Sequence, residues 1–251
     1  MSSYWAKRAD ERITEAHNDL TLNIKEALVS YNQSLIEIES DIKRLLYKGN
    51  LDMYDLNDVL SVQASKKEVD NLFNMLEKAT NKNEIKRLKN EISKLAYKAR
   101  ITRLTAIKAN IEARVAHLGG VTENLIRDKL TTTAGVMYDK TIFDLQQQIG
   151  FAFPFMKSSN AMIDTIINQD WSGKHWSERV WANSKELSSN LFDTMVKGVA
   201  QGKNYYQMSQ ELKEKMQSSE YAAVRLIRTE ASYVANRSKL DRKSTRLNSS
   251  H

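Results

Sequence analysis

The side chains most able to do chemistry are few and widely separated. The four histidines lie at positions 17, 117, 175 and 251, and no two of them have a metal-ligand spacing such as H-x-x-x-H. The 251 residues contain no cysteine, which excludes a cysteine-based zinc site or a disulfide within them. Gly173-Lys174 and Gly202-Lys203 lack the further glycine of a phosphate-binding loop, and no serine has a G-x-S-x-G context. We therefore expect no metal, no cofactor and no nucleophilic catalytic centre.

The run Arg228-Thr229-Glu230 contains the residue types that some ADP-ribosyl transferases use. In those enzymes the elements lie on separate strands and the acidic motif is E-x-E. Here the three residues are consecutive on a predicted helix, so successive side chains diverge by about 100°. We therefore expect no catalysis at this run. Arg228 and Glu230 are expected instead to pair with groups on neighbouring helices, or with a C-terminal part that the chain lacks.

Three tryptophans at a spacing of five residues, Trp171, Trp176 and Trp181, form the second notable group. Stacking of nucleic-acid bases on these rings is one interpretation. Anchoring of one helix on a hydrophobic core is the favoured one, because aromatic side chains bury large areas. If the group forms a binding site, the polar residues between the rings are the better contacts: Lys174, His175 and Arg179.

These groups belong to a longer pattern. Residues 171–181 read WSGKHWSERVW, residues 202–205 read GKNY, and residues 226–232 read LIRTEAS. This order resembles the head morphogenesis domain of minor head proteins from tailed phages of low-GC Gram-positive hosts. The resemblance gives structural roles to Trp171, Gly173, Trp176, Trp181, Gly202, Arg228, Thr229 and Glu230. The opening Ser3-Tyr4-Trp5 with Lys7-Arg8 is also similar to the family's start, but the helical N-terminal part matches more loosely.

The resemblance implies a minor head protein of the phage capsid, associated with the portal vertex, that acts in head assembly and in DNA packaging or delivery. It implies two partners, the portal protein and double-stranded DNA bound without sequence preference. It places the protein inside the virion or at the portal vertex, and in the bacterial host cytoplasm during assembly. No enzymatic activity, membrane contact or small-molecule substrate is expected.

Two alternatives remain open. Some relatives carry fused effector domains, so the chain is also compatible with the N-terminal part of a phage-encoded, toxin-like effector. The second alternative is a generic helical scaffolding or interaction protein that shares the tryptophan block. Full-length relatives continue into a segment with cysteines and histidines that ends near an H-P-N-C-R-C motif, which this chain lacks.

The last eleven residues, 241–251, read DRKSTRLNSSH. Back-translation gives the start of a common short-read sequencing adapter. We therefore expect Leu240 to be the last native residue and the natural protein to continue beyond it, so that the chain is C-terminally truncated. The native remainder is expected to have an α+β fold. The tail is left out of the fold prediction.

Positive charge is concentrated in one segment. The chain has a net charge of +7, and residues 82–114 hold ten basic and three acidic side chains. A segment of this kind is able to approach phosphate backbones or an acidic protein surface, and a solvated helix face is the alternative. The candidate contacts with DNA or the portal are Arg87, Lys94, Lys98 and Arg103, together with Lys174, His175 and Arg179.

Apolar periodicity predicts an all-α fold with a long N-terminal helical hairpin. A first seam comprises Ile24, Leu28, Tyr31, Leu35, Ile38, Ile42 and Leu45. A second comprises Ile85, Leu88, Ile92, Leu95 and Ala99, continued by Ile101, Leu104, Ile107, Ile111, Val115 and Leu118. Their spacings of three and four residues are helical, and glycines at 49 and 119–120 are expected to end the two helices. No segment alternates as a strand does.

The predicted domains are an elongated helical region at 1–150, a smaller, partial head morphogenesis domain at 151–240, and the tail at 241–251. The boundary falls in FAFPFM (151–156), which contains the single proline. No run of about 18 apolar residues occurs, so no membrane-spanning helix is expected.

Overall fold

The fold is described by a computed structural model over residues 11, 14–15, 24–25, 28–41, 43, 66–96, 103–149, 158–201 and 203–248. Six helices have defined bounds: α1 Lys66–Lys78, α2 Lys82–Ala96, α3 Arg103–Ile149, α4 Asn160–Ile167, α5 Trp176–Ala200 and α6 Tyr205–Asn248. A further helical segment covers 28–41. Of the described residues, 90% are helical and none forms a strand, which confirms the all-α prediction.

The described chain divides into two compact units that are each discontinuous in sequence. The first unit is Met1–Glu26, Asn124–Arg179 and Val224–His251, and the second is Ala27–Glu123 and Val180–Ala223. The unit boundaries fall within α3, α5 and α6. The predicted domain boundary at 150–151 lies outside the described residues and stays a prediction.

In the second unit, α1 and α2 form a short hairpin. Asn81 is the N-cap of α2. Its Oδ1 accepts hydrogen bonds from the backbone N–H groups of Asn83 at 2.9 Å and Glu84 at 3.2 Å. Leu72 of α1 and Leu88 of α2 are fully buried in one cluster with two small residues of α3, Ala109 and Ala113. By its spacing Phe73 belongs to the apolar stripe of α1 that includes Leu72 and Leu76, yet it is 48% exposed.

Helix α3 does not end at Gly119-Gly120, as the sequence predicted, but continues to Ile149. Glycine is required at both positions because side chains of α2 and α5 pack directly against the α3 backbone there. A Cβ at Gly119 would lie 2.7 Å from Ser184 Oγ and 3.0 Å from the Trp181 ring, and a Cβ at Gly120 would lie 2.6 Å from Glu84 Oε2. The lack of a side chain at both positions therefore lets α2 and α5 approach α3 within the second unit.

The core of the second unit joins the two predicted seams. Tyr31, Leu35 and Ile38 of the helical segment 28–41 share a cluster with Ile107, Ile111, Val115 and Leu118 of α3. The same cluster contains residues of α5 and α6, namely Leu187, Leu191, Met195, Met208, Leu212, Met216 and Ala223. Arg114 of α3 also pairs with Glu37 and, at 2.6 Å, with Asp41. The core therefore draws on residues from both sides of the predicted domain boundary.

In the first unit, α4 packs near Gly135 of α3, where an added Cβ would lie 3.6 Å from Ile163 Cδ1. Ser159 is the N-cap of α4, and its side chain accepts a hydrogen bond from the backbone N–H of Met162. Core residues on α3, α4 and α6 are Ile126, Leu130, Met137, Ile163, Ile166, Ile167, Ile227 and Val234.

The C-terminal sequence predicts two helices, one at 205–216 and one capped by Ser218 or Ser219, but α6 is continuous from Tyr205 to Asn248. It therefore includes the backbone of 241–248, part of the segment assigned to a sequencing adapter. Within the described residues, no helix combines the length and the apolar character that crossing a bilayer requires.

Candidate functional site

The three tryptophans have three different environments. Trp176 is 2% exposed, and its Nε1–H donates a 2.9 Å hydrogen bond to the carbonyl of Ile167. The guanidinium of Arg127 lies 5.2 Å from the centre of the same ring. Trp181 is 8% exposed, whereas Trp171 is 40% exposed. Trp176 and Trp181 therefore anchor α5 in the core, while Trp171 contributes to the surface.

Trp171 is held by a group that we call the Trp171 cluster: Gln169, Trp171, Arg179, Glu230 and Tyr233. Its indole stacks on Tyr233 with ring centres 4.6 Å apart and an angle of 11° between the planes. Its Nε1–H donates a 2.9 Å hydrogen bond to Glu230 Oε2. The Tyr233 hydroxyl donates to Gln169 Oε1 at 2.8 Å. The cluster thus joins the tryptophan block to the helix that carries the LIRTEAS motif.

Glu230 is the buried centre of this cluster. The residue is 3% exposed, and its Oε1 lies 3.6 Å from Arg179 Nη1. That distance is too long for a hydrogen bond, so Oε1 accepts none among the described residues. Arg179 also donates from Nη2 to the carbonyl of Ser172 at 3.1 Å. A buried carboxylate thus balances the charge of a guanidinium that supports the loop.

The loop before α5, residues 168–175, is exposed except at His175 and is held by hydrogen bonds. His175 Nδ1 accepts a hydrogen bond from the backbone N–H of Ser177 at 3.2 Å, so its Nε2 donates to Asn168 Oδ1 at 3.2 Å. Gly173 has φ +84°, which favours glycine, and no atom lies within 4 Å of an added Cβ. The loop tip, from Ser172 to Lys174, is therefore solvent-exposed although the residues on either side of it are hydrogen-bonded.

The second unit contains a comparable group, the Trp181 cluster: Asn81, Asn83, Arg87, Glu123 and Trp181. Glu123 is 3% exposed, and its Oε2 accepts hydrogen bonds from Trp181 Nε1 at 3.0 Å, Asn81 Nδ2 at 2.9 Å and Asn83 Nδ2 at 3.1 Å. Arg87 lies over the Trp181 ring, 4.6 Å from its centre, and donates to the Trp181 carbonyl at 3.3 Å. This carboxylate therefore connects α2, α3 and α5.

A titratable pair lies beside the Trp181 cluster. Glu84 is buried, and its Oε1 lies 2.8 Å from Nδ1 of the half-exposed His117. The hydrogen bond to Glu84 is the largest influence on the imidazole and raises the pKa of His117, although partial burial opposes it. The charges of Glu84 and Glu37 also raise this pKa, and that of Arg114 lowers it.

The pair should make the second unit less stable as pH rises. Because the folded pKa of His117 is raised, its contribution is fully present below about 6.5, the usual value, and is lost as pH rises through the folded pKa. The effect should stay below about 1 kcal/mol, since the imidazole is half exposed. Urea denaturation of wild type and His117→Gln between pH 5.5 and pH 8.5 should give curves that converge at high pH. A constant difference across this range would contradict the prediction.

The structure separates the predicted contact residues by environment. Lys174 is exposed, whereas Arg87, His175 and Arg179 are partly buried and hydrogen-bonded within the chain. The side chains of Lys94 and Arg103, and the whole of Lys98 and Gly202, lie outside the described residues. The DNA and portal contacts assigned to these positions stay predictions.

The run at 228–230 divides between surface and core. Arg228 and Thr229 are exposed, and Thr229 Oγ1 donates to the carbonyl of Arg225 at 2.9 Å. Glu230 is buried and pairs with groups from the tryptophan block, as the structural interpretation expected. Among the described residues, Arg228 has no hydrogen-bond partner, so the pairing expected for it is not observed there.

Sequence reasoning missed several residues of these clusters. Glu123, Glu84 and Tyr233 have partners 58, 33 and 62 positions away, which local spacing does not reveal. The stretch around Glu84 reads KNEIKRLKNE (82–91), so nothing in its local sequence distinguishes this buried carboxylate from a solvated one.

Comparison with known proteins gives one distant match. The chain is 25% identical over 134 residues to NAD(+)–arginine ADP-ribosyltransferase EFV of Enterococcus faecalis. The match covers 53% of this chain and spans only 28% of the length of that relative. No protein-family model and no solved structure matches the chain.

This match corrects the expectation that the protein has no enzymatic activity, because the relative is named as an enzyme. The expectation rested on the lack of a local catalytic motif in the sequence and on the resemblance to minor head proteins. A similarity distributed over a long segment carries information that short motifs do not. At 25% identity over about half of this chain, the match is a weak indication of enzymatic activity.

Proposed function

We propose that the chain is a helical module of a phage minor head protein, which acts at the portal vertex in head assembly and in DNA packaging or delivery. The observation that supports this proposal best is the Trp171 cluster. Trp171 and Arg179 come from the tryptophan block, and both contact Glu230 of the LIRTEAS motif. Motif elements far apart in sequence thus belong to one packed structure, as expected if the family pattern encodes a fold.

The proposal is tested by co-expression with the portal protein encoded upstream in the same phage genome. An affinity tag on either protein should retain the other through washing at moderate salt. The matched control is the portal protein of an unrelated phage, which should not be retained. Equal retention of both portals, or of neither, would overturn the portal-associated function.

The described part of the basic segment offers one surface suited to DNA. The exposed side chains described on α2 are Lys82, Asn83, Lys86, Lys89, Asn90 and Ser93, and none is acidic. Glu84 and Glu91 lie elsewhere on this helix and are buried or half-buried. The three lysines are spaced by four and three residues, so they lie along one face of α2. We call this surface the α2 lysine face.

Glutamate in place of Lys82, Lys86 and Lys89 should abolish retention on double-stranded DNA at about 50 mM salt. Three phosphate contacts give a slope near −3 for log affinity against log salt, so binding of the wild type should be weak and steeply salt-dependent. Fluorescence anisotropy with two duplexes of unrelated sequence measures this directly.

The matched control carries the same change of charge at three exposed lysines of the same unit, Lys185, Lys213 and Lys215. If this control loses binding as fully as the α2 variant, net charge and not the α2 lysine face is responsible. Binding that persists in the α2 variant would move the contact to the undescribed basic residues Lys94, Lys98 and Arg103.

The distant relative favours a second candidate function, part of a phage-encoded effector that ADP-ribosylates arginine. The supporting observation is the 25% identity over 134 residues. The test is incubation of the product of the complete gene with biotin-labelled NAD+ and polyarginine. Transfer of label would support this candidate, and absence of transfer at any enzyme concentration would count against it.

A further inference from the structure

The loop 168–175 is exposed and is supported by hydrogen bonds from buried and half-buried side chains. All residues from Asn168 to Lys174 are exposed, yet side chains of α5 and α6 hold the loop through the Trp171 cluster. The indole of Trp171 remains 40% exposed although it is stacked on Tyr233. Exposed loops that are fixed in one conformation lose little entropy on binding a partner.

The loop is supported by the carboxylate of Glu230, whose burial costs free energy of desolvation. A buried carboxylate requires compensation by hydrogen bonds and opposite charge, and Glu230 directs both oxygens toward residues that hold the loop. Trp171 and Arg179, its two partners, are themselves partly exposed. A loop that only connected α4 to α5 would not require this arrangement, since water would satisfy its polar groups.

The exposed charges of the loop select the class of partner. Asp170 and Lys174 are exposed in the loop, and Glu178 is exposed in the first turn of α5. Two carboxylates around one lysine do not form a surface for phosphate backbones. A partly exposed tryptophan beside mixed charges is typical of protein–protein interfaces, where tryptophan supplies much of the binding energy.

We propose that residues 170–174 form a docking surface for a protein partner, in which Trp171 packs into an apolar pocket and Lys174 pairs with a carboxylate of the partner. The inference rests on the proposed function, in which that partner is the portal protein. The two proposed partners would then bind different surfaces of the protein. The portal would contact the loop, and DNA would contact the α2 lysine face.

The test uses the full chain and the portal protein encoded upstream in the same genome. Lys174→Glu should weaken portal binding about tenfold, as reversal of a charge at an interface does, while retention on DNA is unchanged. Lys174→Arg should restore portal binding. The matched control is Lys185→Glu, an exposed lysine of α5 outside the loop, which should bind the portal as the wild type does. Binding is measured by surface plasmon resonance.

The outcomes separate the inference from the proposed function. If the wild type does not bind the portal, the proposed function fails. If the wild type binds and Lys174→Glu binds equally well, the docking surface is wrong while the function stands. Loss of DNA retention in Lys174→Glu, with portal binding intact, would assign the loop to nucleic acid and overturn the inference.

Discussion

Glu123→Ala should destabilise the second unit by about 3 to 4 kcal/mol, the largest effect expected from a single substitution. Breaking a buried charged network typically costs 3–5 kcal/mol, because donors are left without an acceptor. Here the donors are Trp181 Nε1 and the side-chain amides of Asn81 and Asn83. Of these, Asn83 is exposed and can bond to water, which places the estimate below the upper end of the range.

The measurement combines urea denaturation with regional hydrogen exchange. The amides of α1 and α2 should lose protection, because Glu123 holds the residues that begin α2. Glu123→Gln keeps one acceptor oxygen and should cost less than half as much. Glu214→Ala, at an exposed glutamate of the same unit, should stay within about 0.5 kcal/mol of wild type. Equal destabilisation by Glu123→Ala and Glu214→Ala would contradict the assigned network.

Glu230→Ala should destabilise the first unit by about 2 kcal/mol. The substitution removes the acceptor for Trp171 and the charge opposite Arg179. The cost is smaller than for Glu123, because Trp171 and Arg179 are partly exposed and water can solvate them. Amides of 168–179 should exchange faster, and the environment of Trp171 should become more polar, which tryptophan fluorescence reports.

Two variants make this result specific. Glu230→Gln retains an oxygen for Trp171 but loses the charge opposite Arg179, so it should fall between the wild type and Glu230→Ala. Asp164→Ala, at an exposed acid of the same unit, is the control and should change little. Unchanged exchange at 168–179 in Glu230→Ala would show that the loop does not depend on this carboxylate.

Helix positions and most buried faces were predictable, because apolar spacing of three and four residues reports them directly. On α5, the apolar residues at helical spacing whose side chains the structure describes, Val180, Leu187, Leu191 and Met195, are all in the core. On α1 the same pattern placed Phe73 inside, yet it is exposed. Periodicity defines a face of a helix but does not define which part of that face a neighbour covers.

Helix ends were predicted less well, and the glycine pair shows why. Glycine is both a helix-ending residue and the residue that permits close helix packing. Gly119 and Gly120 have the second role, which depends on Ser184, Trp181 and Glu84 from distant segments. Their neighbours in the sequence do not distinguish the two roles.

The candidate site was predictable only in part. The resemblance identified Trp171 and Glu230 as motif residues, but their hydrogen bond joins positions 59 residues apart. Arg87 and Arg179 were assigned to partners outside the chain, whereas both contact groups within it. A basic side chain near an aromatic one has the same sequence signature whether it binds DNA or packs on a ring. Their surroundings in the fold decide between the two.

Mass spectrometry of purified phage particles tests the central claim most directly. Particles from a phage that carries this gene should contain the protein in an amount that scales with the portal protein. A nonsense mutation in the gene should remove it and yield heads defective in assembly or DNA content. If the protein is instead absent from particles with normal heads, and host proteins acquire ADP-ribosylated arginine when the gene is expressed, the minor head function is wrong and the effector function replaces it.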